Sequence, residues 1–235
     1  MAYKTFSQLY NDGLQQADEV TGSGTATAKT IIKAGINESY SEVAGIRDWK
    51  TLENSTAVNT VASTEEYTPI TASETVPRIR RISSIVDQTS NRFLDEITRE
   101  KFEKYYPDPS STGASKLWYQ SGYTSDRDIK FKLYQIPDSV YALNVIYYEE
   151  PLELVADGDI PRIPDQFHYG LVYLGLAKYF EYQKDAMANY YRTMHEEFKR
   201  KILVIEYGDT DDMPQIEPQG QNKSFVTGKI GRIWN

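Results

Sequence analysis

Two histidines, His168 and His195, are the only imidazoles, and the absence of cysteine excludes disulfides, thiolate nucleophiles and Cys-based zinc sites. His195 stands beside Glu196 and Glu197, and adjacent positions on a helix splay apart instead of converging. Neither histidine belongs to a His-Glu-x-x-His spacing, so both are assigned to packing or surface roles. Carboxylates gather at Glu149-Glu150, at Asp157 and Asp159, and from Asp209 to Asp212. Glycosidic chemistry would need two carboxyls held about 5 to 10 Å apart across a cleft. Gly158 and Gly208 instead put these clusters in loops, where they read as solvated charge. Asp209-Thr210-Asp211-Asp212 lacks the spacing and closing Glu of a calcium loop. Gly22-Ser23-Gly24 has no preceding strand and no following Gly-Lys-Ser/Thr, so it is a turn, not a phosphate cradle. No catalytic, cofactor-binding or metal-ligating residue is predicted.

The residues that suggest contact with other molecules are of another kind. Arg78-Ile79-Arg80-Arg81 is the densest basic run. On a strand Arg78 and Arg80 would share one face and Arg81 the other, and Arg78, Arg80 and Arg81 are candidates for contact with an acidic neighbouring subunit. The C-terminal stretch begins acidic (Asp209, Asp211, Asp212, Glu217) and turns basic (Lys223, Lys229, Arg232), with Phe225, Val226, Ile230, Ile233 and Trp234 interleaved. Solvated tails usually lack such apolar residues. Phe225, Val226, Lys229, Ile230, Arg232, Ile233 and Trp234 are therefore assigned to partner docking, with folding back onto the chain's own helices as the alternative. Tyrosine supplies 19 of the 235 residues, and its rigid ring with a polar tip suits interfaces and strand faces alike. The formal charge of −8 argues against a protein that grips phosphates but allows an acidic wall that DNA slides past.

These residues must be positioned by an ordinary soluble-type composition, 40% hydrophobic and 26% charged. Phe6, Leu9, Tyr10, Leu14 and Ala17 mark a first helix, with Thr5 or Ser7 as its cap. A glycine-containing turn from Thr21 to Thr25 leads to a second, longer helix bearing Ile32, Ile36, Tyr40, Val43 and Ile46, with Trp49 just beyond. From Leu52 the pattern turns strand-like: Val58 to Val61, Tyr67 to Ile70, Ile79 to Val86 and Leu117 to Tyr119. Ile129 to Tyr134 and Tyr141 to Tyr148 are expected to form a hairpin through Pro137-Asp138-Ser139. Asn91 to Tyr105 reads as a short helix. Pro161 and Pro164 precede an apolar helix over 164–184, in which Gly170 and Gly175 permit close backbone approach. A last helix carries Met187, Tyr191, Met194, Phe198, Ile202 and Ile205.

The expected fold class is thus α+β: an antiparallel four-helix bundle from the N- and C-terminal segments, an inserted β-rich module and an extended C-terminal tail. The corresponding division is 1–51, 52–159, 160–207 and 208–235. The start Met1-Ala2-Tyr3-Lys4 shows no secretory signal, and no stretch approaches the length of about 20 apolar residues that a membrane helix needs. Synthesis in a cytoplasm is expected, with no membrane contact.

One order of residues is distinctive. Phe93-Leu94, Ile97-Thr98, Phe102-Glu103, Tyr106-Pro107, Gly113 and Trp118-Tyr119 are followed by Ile129 to Tyr134, Pro137-Asp138, Tyr141 to Tyr148, Pro151-Leu152 and Ile163-Pro164. With the opening Phe6/Leu9 helix and the helix ending near Trp49, this order resembles the adaptor, or head–tail connector, proteins of tailed phages, including the tail-tube gatekeepers of short-tailed phages. The likeness covers most of residues 3 to 206. Tyr67-Thr68-Pro69 departs from the family's Tyr-x-Leu-Pro turn, and Gly113-Ala114-Ser115 lacks a proline common there. The resemblance implies a non-enzymatic virion protein of the head–tail interface, made in the host cytoplasm. It further implies a homo-oligomeric, dodecameric ring beneath the portal protein, tail or nozzle proteins as further partners, and DNA met only in passage. A carbohydrate-binding or tail-fibre-like module is the rival suggested by the aromatics and the β-rich centre, and a hydrolase the weakest.

Overall fold

The computed structural model describes residues 3–18, 24–73, 75–106 and 110–207. Helix α1 (Phe6–Gln16) starts where the sequence indicated. The Thr5 hydroxyl accepts from the Gln8 N–H while the Gln8 side chain accepts from the Thr5 N–H, a reciprocal capping box. Helix α2 (Thr25–Ile46) buries Ile32, Ile36, Tyr40 and Val43 along the expected stripe, and Trp49 folds back so that its indole N–H donates to the Val43 carbonyl at 3.1 Å.

Seven strands follow: β1 (Glu53–Asn59), β2 (Glu66–Tyr67), β3 (Ile79–Asp87), β4 (Arg92–Glu96), β5 (Leu117–Tyr123), β6 (Ile129–Tyr134) and β7 (Ala142–Glu149). They form one mixed sheet in the order β1-β7-β3-β4-β5-β6-β2, antiparallel except where β4 meets β5. The sheet curls into a half-barrel. Its apolar residues, among them Ile85, Leu94, Trp118, Phe131 and Val145, pack in a single cluster. Helix α3 (Arg99–Tyr105), capped by the Thr98 hydroxyl, lies on β5, where Phe102 stacks on Tyr119 at 4.6 Å between ring centroids. A 3-10 turn (Asp165–Leu171) leads into α4 (Val172–Tyr182), and α5 (Met187–Tyr207) packs back on α4.

The expected antiparallel four-helix bundle is therefore overturned: the chain is a β-rich α+β fold dominated by the seven-stranded sheet, with five α-helices among the described residues. The apolar run over 164–184 spends its first turns as 3-10 helix, leaving α4, like α1, 11 residues long. Each is about 16 Å, half the length of α2 and α5, and although their apolar sides share one cluster, these unequal helices form a layer beside the sheet and not an antiparallel four-helix bundle. Helical periodicity shows which side of an element is apolar, but not whether four such sides meet in one bundle.

The β6–β7 hairpin is also corrected. Both strands exist, but β6 pairs with β5 and β2, while β7 lies between β1 and β3. The Pro137 turn is tied to the β1–β2 connection instead: Ser63 N–H donates to Pro137 O, and the Thr60 hydroxyl donates to Ser139 O. Consecutive strands are neighbours in about two-thirds of cases only, and turn chemistry does not identify the exceptions. Residues read as a helix over Asn91 to Tyr105 divide into β4 and α3, because Phe93 and Leu94 alternate across the sheet before Thr98 caps the helix. The glycine turn before α2 falls largely outside the described residues.

Candidate assembly surfaces

Helical and sheet residues form two separate apolar clusters, and polar contacts bridge them. Arg80 on β3 is central to one bridge. Its guanidinium donates to the Ala44 carbonyl in the last turn of α2 at 2.7 Å and pairs with Asp48, and Arg81 pairs with the same carboxylate. A cation at a helix C-terminus satisfies carbonyls that lack intrahelical partners and complements the dipole. Simple alternation would have put Arg80 and Arg81 on opposite faces. Register shifts between Ile79 and Arg81 and between Ile82 and Ser84 place an extra residue at Arg80 and at Ser83, so both arginines reach Asp48. The same shifts bring Ile79, Ile82 and Ile85, spaced by three, into one core. Arg78 donates to the Asp126 carbonyl and faces Glu150 at 3.8 Å. The three arginines named as interface candidates thus all have partners within the chain, with Arg81 the most exposed.

The second bridge centres on Glu149, whose side chain is buried at the end of β7. It pairs with Arg162 and accepts from the Asn54 amide at 2.8 Å. Arg162 also donates to the Thr51 carbonyl, receives the Thr51 hydroxyl on its own carbonyl, and gives its backbone N–H to the Tyr40 hydroxyl. Burial pushes the Tyr40 hydroxyl above its ordinary value, so it stays protonated. The loop residues Asp157 and Asp159 serve α1 through their backbones: the Asp159 and Asp157 carbonyls accept from the Phe6 and Ser7 N–H groups, which have no intrahelical acceptor.

Both histidines are buried and hydrogen-bonded. His168 Nδ1 accepts from the Lys4 N–H at 3.1 Å, which leaves Nε2–H to donate to Ile163 O at 3.0 Å, tying the chain start to the segment before α4. His195 Nε2 lies 3.0 Å from the Glu42 carboxylate, which Lys199 also reaches. Burial acts to raise the Glu42 pKa, but these two hydrogen bonds and their charges together hold it below its ordinary value. Among the described residues no group of three His, Asp or Glu side chains is placed to hold a metal ion, and no helix is long and apolar enough to cross a membrane.

What remains open is contact surface. Tyr10, Tyr40, Tyr67, Tyr119, Tyr147 and Tyr179 are core residues, whereas Tyr105, Tyr123, Tyr182 and Tyr190 are exposed. The tyrosine excess thus serves the interior and the surface alike. Leu152, Val155 and Ile160 are exposed in the loop after β7, and Val204 on α5. The sequence reading passed over these: the loop has no periodicity to betray its exposed side, and its cluster of acids reads as mere solvation. Phe225, Val226, Lys229, Ile230, Arg232, Ile233 and Trp234, assigned to docking, lie outside the described residues.

Side chains that bond within the chain, beside apolar groups that face outward, describe a protein built to contact other proteins. Residues 3–216 match the family model of the SU10 adaptor protein, and the chain belongs to that family. It is a structural adaptor of a bacteriophage particle, as the order of its aromatics and prolines suggested. Comparison with curated proteins gives no match.

Proposed function

We propose that the protein forms a closed ring that joins the portal to the tail and encloses the DNA exit channel. The observation that carries this reading is the family match over residues 3–216, which makes the chain an adaptor. Identical subunits joined head to tail close into a ring when the rotation between neighbours is right. The net charge of −8 suits a wall that DNA passes without sticking. On this reading residues 1–51 and 160–207 form the body of each subunit, 52–159 the β-rich part, and 208–235 an arm. The arm's Phe225, Val226, Lys229, Ile230, Arg232, Ile233 and Trp234 dock into a portal groove or a neighbouring subunit, so that a short segment covers a large surface. Arg81, with its exposed guanidinium, is the member of the arginine run best able to add a contact between subunits.

Native mass spectrometry of the protein alone and mixed with its portal ring tests the reading. A discrete complex carrying many copies per portal is expected. A persistent monomer that ignores the portal would overturn the ring and favour the carbohydrate-binding alternative. Removing 221–235 is expected to leave the subunit folded and abolish docking, and an unfolded truncation would instead mean that the tail folds back on its own helices.

A further inference from the structure

The loop between β7 and the 3-10 turn before α4 exposes three apolar side chains: Leu152 (41% exposed), Val155 (75%) and Ile160 (42%). Its backbone is nonetheless held at Glu150, from Leu154 to Asp157, and at Asp159. The Leu154 side chain is buried in the helical core, and the Asn37 amide of α2 brackets its backbone, accepting from Leu154 N at 2.9 Å and donating to Leu154 O at 3.0 Å. The Asp159 carboxylate accepts from the Val155 and Ala156 N–H groups, each at 2.8 Å. Arg78 O accepts from Glu150 N, and α1 donates to Asp157 O and Asp159 O. Apolar groups on a loop so firmly fixed are exposed by position, and such preorganised knobs lose little entropy on docking. The loop is also acidic: no cation faces Glu153 among the described residues, and Glu150 has only the distant Arg78.

Helix α5 presents the complementary chemistry. Of its described side chains only His195, Phe198 and Ile202 are fully buried, on one side. On the outward side Tyr190 (54% exposed), Glu197, Lys201 and Val204 (71%) fall within roughly 60° of one another at 100° per residue, with Arg200 adjoining, so that two cations outnumber one carboxylate there. Neither Arg200 nor Lys201 has an ion-pair partner among the described residues.

The two surfaces lie on different flanks of one subunit. The loop touches α2 through Lys33 and Asn37, and α5 touches it through Glu42. Lys33 and Glu42 are nine residues apart, roughly 180° around the helix. A surface cannot meet its complement on the opposite flank of the same molecule, but it can meet that of the next copy, which is the arrangement of a head-to-tail contact.

We infer that the Leu152–Ile160 loop of one copy docks on the outward face of α5 of the next copy, with Val155 and Leu152 against Tyr190 and Val204, and Glu153 opposite Lys201 and Arg200. This rests on the ring proposed above and names the contact that would close it. The test is a reciprocal charge exchange in the full chain, assembled with the portal and followed by light scattering over a concentration series. Glu153→Lys alone and Lys201→Glu alone should each raise the half-assembly concentration by about tenfold or more, and the double exchange should bring most of it back. Val155→Asp should weaken assembly with no rescue by either change. All the sites are exposed, so unchanged circular dichroism will show that the subunits stay folded. Rings indifferent to the single exchanges, or a double exchange no better than the singles, would overturn this contact and leave the ring standing. A wild-type chain that stays single on the portal would overturn the ring itself.

Discussion

In the helical layer two backbones come into close contact. A Cβ placed on Gly35 of α2 would lie 2.5 Å from the Gly175 Cα of α4, and one on Gly175 would lie 2.8 Å from the Ile32 carbonyl oxygen. In the sheet the space is filled by large side chains instead: Trp118, Phe131, Ile85 and Ile129 are almost wholly buried, and Phe131 stacks on Tyr67 at 5.8 Å. Helices meet at a crossing point, where closeness is limited by what stands between the axes. A curled sheet surrounds a volume that its own residues must fill. The helical layer is therefore most sensitive to added volume and the sheet to volume removed, and the polar bridges decide how far damage in one region reaches the other.

The largest expected effect comes from emptying the sheet. Phe131→Ala should destabilise the protein by about 3–5 kcal/mol, since the curl cannot collapse onto the gap. Amide exchange should quicken first in β2, β5 and β6 while α2 and α4 stay protected. Equal loss of protection in α2 would mean that the two clusters behave as one core. The opposite manipulation is Gly175→Ala, which adds a methyl where backbone already touches backbone. It should cost about 1–3 kcal/mol or more, read as a lower urea midpoint, whereas Gly122→Ala in β5 meets no neighbouring atom and should suffer from its backbone angle (φ 154°) alone.

Between these sits the bridge. Arg162→Met removes the cation from Glu149, which stays buried at the end of β7. Because the Arg162 side chain is itself about half exposed, water offsets part of the loss, and a cost of about 1–2 kcal/mol is expected. The variant should also separate the melting of sheet and helices into two transitions by calorimetry. A single sharp transition would show that the Arg80–Asp48 bridge is enough to couple them.

The helical layer was largely legible in the sequence because its cues are local. The Thr5 cap and the stripes of Ile32, Ile36, Tyr40 and Val43 follow from neighbours three or four residues apart. Gly175 was recognised as a point of close approach, but its counterpart Gly35 was not, since only the crossing of two distant segments gives it meaning. In the sheet the strands β3, β6 and β7 could be located, yet their order could not: β7 pairs with β1, more than eighty residues earlier. The bulges that bring Arg80 and Arg81 together are a property of pairing with β7, and no periodicity of β3 alone reveals them. The exposed apolar loop was missed for the same reason, because its rigidity comes from Asn37 and α1.

The smallest effect compares one carboxylate from each region. Glu42, between α2 and α5, is held below its ordinary pKa of 4.5 because His195 and Lys199 together outweigh the opposing effect of burial. Glu66, on β2, is held below the same value chiefly by its hydrogen bond from Lys130, against a smaller effect of burial. A folded pKa below the unfolded one contributes stability that is complete above the unfolded value and is lost as pH falls through the folded value. Both residues are about a third or more exposed, so each should contribute less than about 1 kcal/mol. Glu42→Gln and Glu66→Gln should each lower the urea midpoint slightly at neutral pH, and the gap from wild type should close as pH falls from 4.5 through the lowered folded values. Closure for Glu66 with a persistent gap for Glu42 would mark the His195 contact as one of shape and hydrogen bonding. Charge would then be the weaker cement in the helical layer, and the division between the two regions would extend from their cores to their polar seams.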